Sequence, residues 1–577
     1  VFTLRIIIVS LFGALQIGNT GLATSQLGIQ VTGNNISNSG TTGYTRQTLN
    51  LQESGPEQIG PDQFLGTGVN VASIDRNSDD ALNASLRNAN SDQSSSSTLA
   101  NYLSQIQTTF GTLNDNDLSS QVNNFFNGFS TLANNPSDAG QRSVVIQNGQ
   151  SLAQNVQTLR SQLSDIRDTA QNQLQQLTTQ ANGLFQSIAS LNKQIASSGN
   201  GNSNNTLLDQ RDQDLSTLST LVNVQAVPQA NGQVNILIGS IPVVQGTVAR
   251  PIGTVQGTNA AGTEPVTNVV FTDNGDPVNI TGGQIGATIS ARDNSIDPAI
   301  NSLDTFAAGL IQTVNSIYSQ GQGLTGYSNV TATNAVTDPN AALNAATAST
   351  GLAFPPTNGT FTINETDQTT GQVTSRQITV NLSGNGTPTT LNSLAASITG
   401  GNITATVDSS GHLTINSTNS NSTFSFSNDS SGVLASLGIN TYFTGSNAQN
   451  IGVNQNLVTT PSLLATGRNN IAGSNNNAQA VALGNTAANA VLGGKNLQDY
   501  YTNFVGDLAN KTKAATDSTT ADGTVYQALF AQQQSTSGVS MNEETVNLMT
   551  YQQAFQGSAH YINVINQMMQ DVLSMVQ

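Results

Sequence analysis

Two segments at opposite ends of the chain place apolar residues every seven positions. Within residues 11–38 these are Leu15, Leu22, Ile29 and Ile36; within 541–577 they are Met541, Leu548, Phe555, Ile562, Met569 and Val576. A seven-residue repeat gathers such side chains on one stripe of a helix, and that stripe needs a partner helix. Neither end has enough other apolar surface to build a globular core. The ends are therefore expected to pair with each other and with neighbouring copies, which is the design of a subunit in a helical assembly rather than of an enzyme.

Between the ends, the pattern predicts an α–β–α order. The first helix is expected to stop near Asn38, because Asn34, Asn35 and Asn38 are poor helix formers and Gly40 can close a helix. Tyr44 to Leu51 has strand character, and Ser54 to Gly68 reads as loop. Helical faces follow at Leu99–Leu113 and Leu118–Leu132, the second ended by Asn134-Asn135-Pro136. From Leu152 to Ile195 apolar residues step by four and three, with one extra step of four around Ala170 and Leu174. That stutter unwinds a supercoil locally without breaking the helix. Gly199 to Asn205 reads as loop, Leu207–Val222 as helix, Gln233–Val244 as a strand pair and Ile296–Ile317 as helix. From about Gly326 to Asn450 short alternating strands appear around Phe361, Ile378, Leu413 and Phe424, with small helices at Leu391–Ile398 and Val433–Leu437. Helical pattern resumes at Ala478–Leu492 and Leu497–Thr512. The fold class expected is α+β: terminal coiled-coil helices and a long-helix bundle forming a rod, with an inserted strand-rich domain.

Composition excludes several chemistries. Only 8% of the residues are charged, against roughly 25% in ordinary soluble proteins, and the formal net charge is −17 without any basic run. Nucleic acid is therefore not an expected partner. With no cysteine and two histidines, thiol chemistry is excluded and no metal or cofactor is expected. The apolar stretch from Ile6 to Leu15 is too short for a membrane span and reads as the lead-in to the first helix, with a short secretory signal as the competing reading.

Candidate reactive groups reduce to ordinary structural ones. Asp273-Asn274-Gly275-Asp276 resembles a calcium loop, but position 284 is Gln where such a loop needs glutamate, so a turn is expected. Asp209, Arg211 and Asp212 form the densest charge cluster and read as a structural ion cluster at a helix start rather than a catalytic carboxylate pair. His560 reads as a surface residue of the last helix. No residue is expected to be catalytic.

Three motifs then point to a family. Asn34-Asn35-Ile36-Ser37-Asn38 followed by Thr42-Gly43-Tyr44-Thr45-Arg46-Gln47 resembles the N-terminal signature of bacterial flagellar rod and hook axial proteins. Its Tyr-Thr-Arg-Gln ending is similar to the hook-associated branch that forms the hook–filament junction, where rod and hook proteins have Gly-Tyr/Phe-Lys. Leu207–Asp212 and Gln533–Glu544, the latter leading into the last heptad helix, resemble the same branch and occur in the expected order. The apolar stretch before Leu11 departs from the family pattern.

The resemblance implies an inner coiled-coil domain from residues 1–60 and 530–577. It implies a helical rod domain with a small strand pair from 61–325 and 451–529, and a strand-rich outer domain from 326–450. It implies an assembly seam of Leu15, Leu22, Ile29, Ile36, Leu548, Phe555, Ile562 and Met569. The function implied is that of a secreted structural subunit joining hook to filament and needed for filament assembly. The partners implied are copies of itself in a helical ring, the flagellar hook protein, the second junction protein, and an export chaperone that holds the C-terminal helix before type III export, with no membrane partner. The competing readings are a Sec-secreted surface β protein or adhesin, a polysaccharide-active hydrolase built on the insertion, and, within the flagellum, hook protein or flagellin.

Overall fold

A computed structural model describes residues 2–60, 63–111, 117–198, 204–258, 265–468, 471–486 and 492–574. In chain order, α1 (Phe2–Ser37) precedes β1 (Gln47–Glu53), β2 (Glu57–Gly60), β3 (Gln63–Leu65) and β4 (Val69–Arg76). Then come α2 (Asp80–Thr109), α3 (Leu118–Asn134), α4 (Ala139–Ser197) and α5 (Asn205–Leu221). Strands β5 (Val224–Pro228), β6 (Val234–Ile238), β7 (Ile241–Gln245), β8 (Val248–Ala249), β9 (Ile252–Thr258) and β10 (Pro265–Phe271) follow. Helix α6 (Gly283–Ala291) passes through a π-helical turn at Arg292–Ile296 into α7 (Asp297–Tyr318). The strand-rich stretch holds β11 (Asn329–Thr331), α8 (Thr347–Thr350), β12 (Gly359–Asp367), β13 (Val373–Val380), α9 (Leu391–Ile398), β14 (Ile403–Val407), β15 (Leu413–Ser417), β16 (Ser422–Ser427), α10 (Val433–Leu437), β17 (Phe443–Thr444) and β18 (Gly452–Val453). The chain closes with α11 (Gln455–Thr459), α12 (Asn476–Ala482), α13 (Leu497–Ser537) and α14 (Met541–Ser574).

The Cα packing divides the chain into two compact units. The first comprises Val1–Ala100, Ala170–Ser290 and Ala515–Gln577; the second comprises Asn101–Thr169 and Ala291–Ala514. The boundary at 169/170 falls inside α4, within the stutter, and the helix runs through it unbroken.

In the first unit, α1 and α14 pack in opposite directions. A Cβ built on Gly28 would lie 2.5 Å from the Tyr551 ring, one on Gly21 would lie 2.9 Å from Ser558 Oγ, and one on Gly18 would lie 2.6 Å from Ile562 Cγ1. The helices meet along small residues of α1, because only a missing side chain leaves room for the rings and branches of α14. Elsewhere in this unit Leu177, Phe185 and Ile188 of α4 and Leu215 and Leu218 of α5 bury against Ile236, Val244 and Phe271 of the strands. Strands β5–β8 form one antiparallel meander and β9–β10 a separate ribbon.

Asparagines join helix to strand. Asn192 donates from Nδ2 to the carbonyls of Val234 and Gly246, both at 2.7 Å, and accepts the Val234 N–H. Asn182 brackets Ile252 the same way, accepting its N–H at 2.9 Å and donating to its carbonyl. A carboxamide offers the donor–acceptor pair of a peptide group, so it completes a strand edge that a helix backbone cannot reach.

The second unit is built around an aromatic cluster. Phe125 and Phe129 of α3 meet Tyr442, which also meets Tyr318 of α7 with ring centroids 5.6 Å apart. The Tyr442 hydroxyl donates to the Val145 carbonyl at 2.7 Å. Among the described residues, buried Arg142 has no carboxylate partner: its guanidinium donates to the carbonyls of Pro136, Pro461 and Leu464 and to Thr466 Oγ1. Two three-stranded sheets, β11-β15-β14 and β13-β12-β16, fill the strand-rich stretch. Asn315 of α7 clamps it, donating to Phe443 O at 2.8 Å and accepting from the N–H groups of Tyr442 and Phe443.

Several boundaries differ from the sequence reading. Helix α2 starts at Asp80, well before Leu99, because Asp79 Oδ1 caps the N–H groups of Ala81 and Leu82. Of the helical pattern over Ala478–Leu492, α12 ends at Ala482, and at Gly484 a Cβ would stand 2.9 Å from the Val481 carbonyl; residues 487–491 lie outside the described residues. Helix α13 continues past Thr512 to Ser537. The loop expected at Ser54–Gly68 contains the β2–β3 hairpin. The 273–276 segment is a turn, with Gly275 at φ +76° and Asp273 paired to Arg250 at 2.7 Å. Val576 and most of the loop at 199–205 lie outside the described residues. Among the described residues, no helix is long and apolar enough to cross a membrane.

Candidate functional site: a polar knot at the base of the terminal helices

The last turn of α1 and the loop after it are tied by one side chain. Asn35, 1% exposed, uses its full hydrogen-bonding capacity. Its Nδ2 donates to Gln47 O at 2.8 Å and to Glu544 Oε2 at 2.9 Å; its Oδ1 accepts from Gln47 N at 3.0 Å and from the Tyr44 hydroxyl at 2.8 Å. Asn34 donates to the same hydroxyl at 3.3 Å. Asn38 caps α1, its N–H and its Nδ2 both donating to Asn34 O. Gly43 lies at φ +82°, and a Cβ there would stand 2.7 Å from Gln213 Oε1, so only glycine satisfies both the turn and the approach to α5.

Arg46 carries the loop onto α14. Its Nε donates to Glu544 Oε1 and its Nη1 to Glu543 Oε2, each at 2.8 Å, while its backbone N–H donates to Ser537 O at 2.9 Å. Glu544 is 1% exposed and Glu543 62% exposed. A buried carboxylate is tolerated because Arg46 and Asn35 both donate to it.

A second tie reaches α5. Arg76 at the end of β4 lies 2.9 Å from Asp209 and 2.5 Å from Asp212, and it also donates to Thr45 Oγ1. Thr45 N–H points at Asp209 Oδ2 at 3.4 Å. The structure places Arg76, which the sequence reading did not name, beside both Asp209 and Asp212. Asp209 and Asp212 are three apart on one helix face, and Arg211 points elsewhere, donating to Gly232 O at 2.7 Å.

Burial sets the electrostatics. It raises the Asp209 carboxyl above the ordinary range, and the Arg76 charge opposes this only in part. Burial also lowers Arg211 from the ordinary arginine value. The Tyr44 phenol is pushed up to about 12 by burial, then by the charges of Asp209 and Glu544.

The seam residues lie beside this contact. Leu15, Leu22, Ile29 and Ile36 are half-buried, flanking the small-residue face of α1, and Leu548, Phe555, Ile562 and Met569 are half-buried on α14. Fully covered positions include Ser25, Thr32 and Asn35 on α1 and Glu544 and Ile565 on α14. The face of α14 turned away from α1 leaves Val546, Met549, Val564 and Met568 exposed.

Residues 103–334 match the family described as the flagellar hook-associated protein FlgK helical domain, and residues 532–575 match the flagellar basal body rod FlgEFG protein C-terminal family. Flagellar hook-associated protein 1 of Escherichia coli (strain K12) is 27% identical over 571 residues, covering 95% of this chain and 96% of that protein. Its counterpart in Salmonella typhimurium is also 27% identical, covering 96% of this chain and 98% of its own length. The chain is similar along nearly its whole length to flagellar hook-associated protein 1, and residues 103–334 match the helical domain of that family. The Bacillus subtilis (strain 168) relative is 30% identical over 248 residues, covering 40% of this chain and 48% of that protein. The flagellar hook junction protein FlgK from Burkholderia pseudomallei has a similar fold, with a TM-score of 0.50 at 18% identity over 79% of this chain and 100% of that one. In this chain the knot joins three segments that are remote in sequence: the N-terminal signature, the Leu207–Asp212 motif and the start of the C-terminal helix.

Proposed function

We infer that the α1–α14 pair, pinned by Asn35, Arg46 and Glu544, is the element through which this protein assembles. The chain is a structural flagellar protein of the hook–filament junction type. The observation that carries the assembly reading is the pair itself: its helices close on small residues and leave larger apolar side chains uncovered. Val546 is 57% exposed and Met549 50%, while Leu22, Ile29 and Phe555 remain half-covered. Such rows are stable in water when neighbouring copies cover them.

In this reading, residues 1–60 and 530–577 form the inner coiled-coil domain, 61–325 and 451–529 the helical rod domain, and 326–450 an outer domain. The sheets and aromatic packing of the strand-rich stretch support the last assignment. The partners are further copies in a helical ring, hook protein on one side and the second junction protein on the other, with an export chaperone covering the C-terminal helix beforehand. Secretion is through the flagellar type III apparatus, and the protein takes its place at the junction outside the cell. The role is mechanical and has no catalytic step.

The test is Phe555→Asp expressed in cells whose own copy is deleted. Phe555 is already half-buried, so covering the rest of its ring in an assembly contributes a fraction of the roughly 1.5–3 kcal/mol of full burial, and a carboxylate there opposes it. The expected result is hooks without stable filaments and free filament protein in the medium. Normal filaments at normal expression would overturn the reading.

A further inference from the structure

Beside the knot lies a cleft of about 420 Å³, roofed by the Gly40–Thr45 loop and walled by α2, α5 and α13. Arg87 of α2 lines it and is half-buried. Among the described residues its guanidinium has no hydrogen-bonded carboxylate: Asp212, which pairs with Arg76, and Asp80 act on Arg87 only through their fields. Burial lowers Arg87 from the ordinary arginine value, the mark of a cation short of compensation. Opposite it, Tyr526 and Phe530 stack at 17°, with ring centroids 6.1 Å apart. Asn83, Gln213 and Gln534 supply neutral amides around the opening. A cation without a hydrogen-bonded carboxylate, an aromatic pair and several amides together suit an extended peptide bearing a carboxylate.

We propose that this cleft receives an acidic side chain from an extended segment of a second copy of the chain, with Arg87 as its anchor. Charge complementarity selects the occupant: the chain carries 33 acidic residues against 16 lysines and arginines, so the surface of a neighbouring copy presents carboxylates in excess. A half-buried guanidinium that gains a hydrogen-bonded carboxylate adds a direct contact that the fields of Asp212 and Asp80 do not supply, and that contact offsets the desolvation of the incoming carboxylate. The cleft lies next to the terminal helix pair, so the proposal rests on the reading that copies assemble through that pair.

The experiment places a photoreactive benzoyl-phenylalanine at Gln534, on the cleft rim, and separately at Met549, on the outer face of α14, in full-length protein assembled on flagella. The expected result is a crosslink from Gln534 to an Asp- or Glu-containing peptide of a second copy. It should weaken roughly tenfold in Arg87→Gln, the size of one charged hydrogen-bonded contact, and less in Arg87→Lys. Crosslinking between copies from Met549 but not from Gln534 overturns the cleft and leaves the assembly reading intact. A Gln534 crosslink to a different protein overturns the second copy as occupant. A Gln534 crosslink unchanged in both Arg87 variants overturns Arg87 as anchor. Absence of crosslinks between copies from both positions overturns the cleft together with the assembly reading. Matching circular dichroism of the Arg87 variants separates a lost contact from a lost fold.

Discussion

Asn35 and Glu544 are 509 residues apart in the chain, yet Asn35 Nδ2 donates to Glu544 Oε2 at 2.9 Å. The contact closes the two ends of the protein on each other. It also explains why the signature needs asparagine: aspartate would have no N–H for Glu544, and leucine would leave the Gln47 backbone and Glu544 Oε2 unmatched.

Removing the cation of the knot should be costly. Arg46→Ala leaves the buried Glu544 with only Asn35 as donor and is expected to destabilise the first unit by about 3 kcal/mol. Glu543 is mostly exposed, so Glu543→Ala should cost less than about 1 kcal/mol. Urea unfolding followed by far-ultraviolet circular dichroism measures both; equal losses would contradict the burial argument.

The glycine face makes an opposite-sign prediction. In an exposed helix, glycine to alanine stabilises by roughly 1 kcal/mol. At Gly28 the new Cβ would sit 2.5 Å from Tyr551, so Gly28→Ala should instead destabilise, by roughly 1–3 kcal/mol. Tyr551→Ala should recover most of that loss in a double-mutant cycle. Additive losses would show that the two helices do not meet there.

Arg142 should behave as a geometric staple rather than a simple charge. Arg142→Ala strands the Pro461 and Leu464 carbonyls that its Nη1 now serves and should cost about 3 kcal/mol or more. Arg142→Lys should not restore stability, because one ammonium cannot reproduce the planar fork. Thermal unfolding of the three proteins decides it: a lysine variant as stable as the parent would refute the staple.

The Tyr44 phenol gives an alkaline signature. The unfolded group ionises near 10 and the folded one at about 12, so the native state holds its proton through that window. The associated stability is therefore full below pH 10 and is lost as the pH rises to about 12. The difference in phenolate absorbance between the parent and Tyr44→Phe should titrate near the upper value. A difference curve centred near 10 would place Tyr44 in solvent.

The elements whose evidence is local were legible in the chain. The heptads of α1 and α14, the stepping of α4 through its stutter, the Val234–Gln245 hairpin and the small helices at Leu391–Ile398 and Val433–Leu437 follow from periodicity within a few turns of backbone. Polar helices were less legible. The first half of α2 and the second half of α13 carry too few apolar residues to show a stripe, and their extent depends on caps and packing. Likewise, Tyr44 and Thr45 have strand composition, but the knot takes their side chains and β1 begins only at Gln47.

By itself the sequence determined that the ends are long helices with apolar stripes and that a strand-rich stretch interrupts the helical pattern. Only the tertiary structure decided which face of α1 meets α14. The apolar row predicted the partner, but Gly18, Gly21 and Gly28 set the closest approach, because interhelix distance depends on the smallest side chains at the crossing. It also decided that Arg76 serves Asp209 and Asp212, that Asn35, Asn182, Asn192 and Asn315 each take the place of a peptide group, and that Arg142 is buried among carbonyls. A periodic pattern records how often a residue faces a core. A hydrogen bond depends on which backbone groups arrive within about 3 Å after the chain has folded, and residues hundreds of positions apart leave no local trace of that meeting.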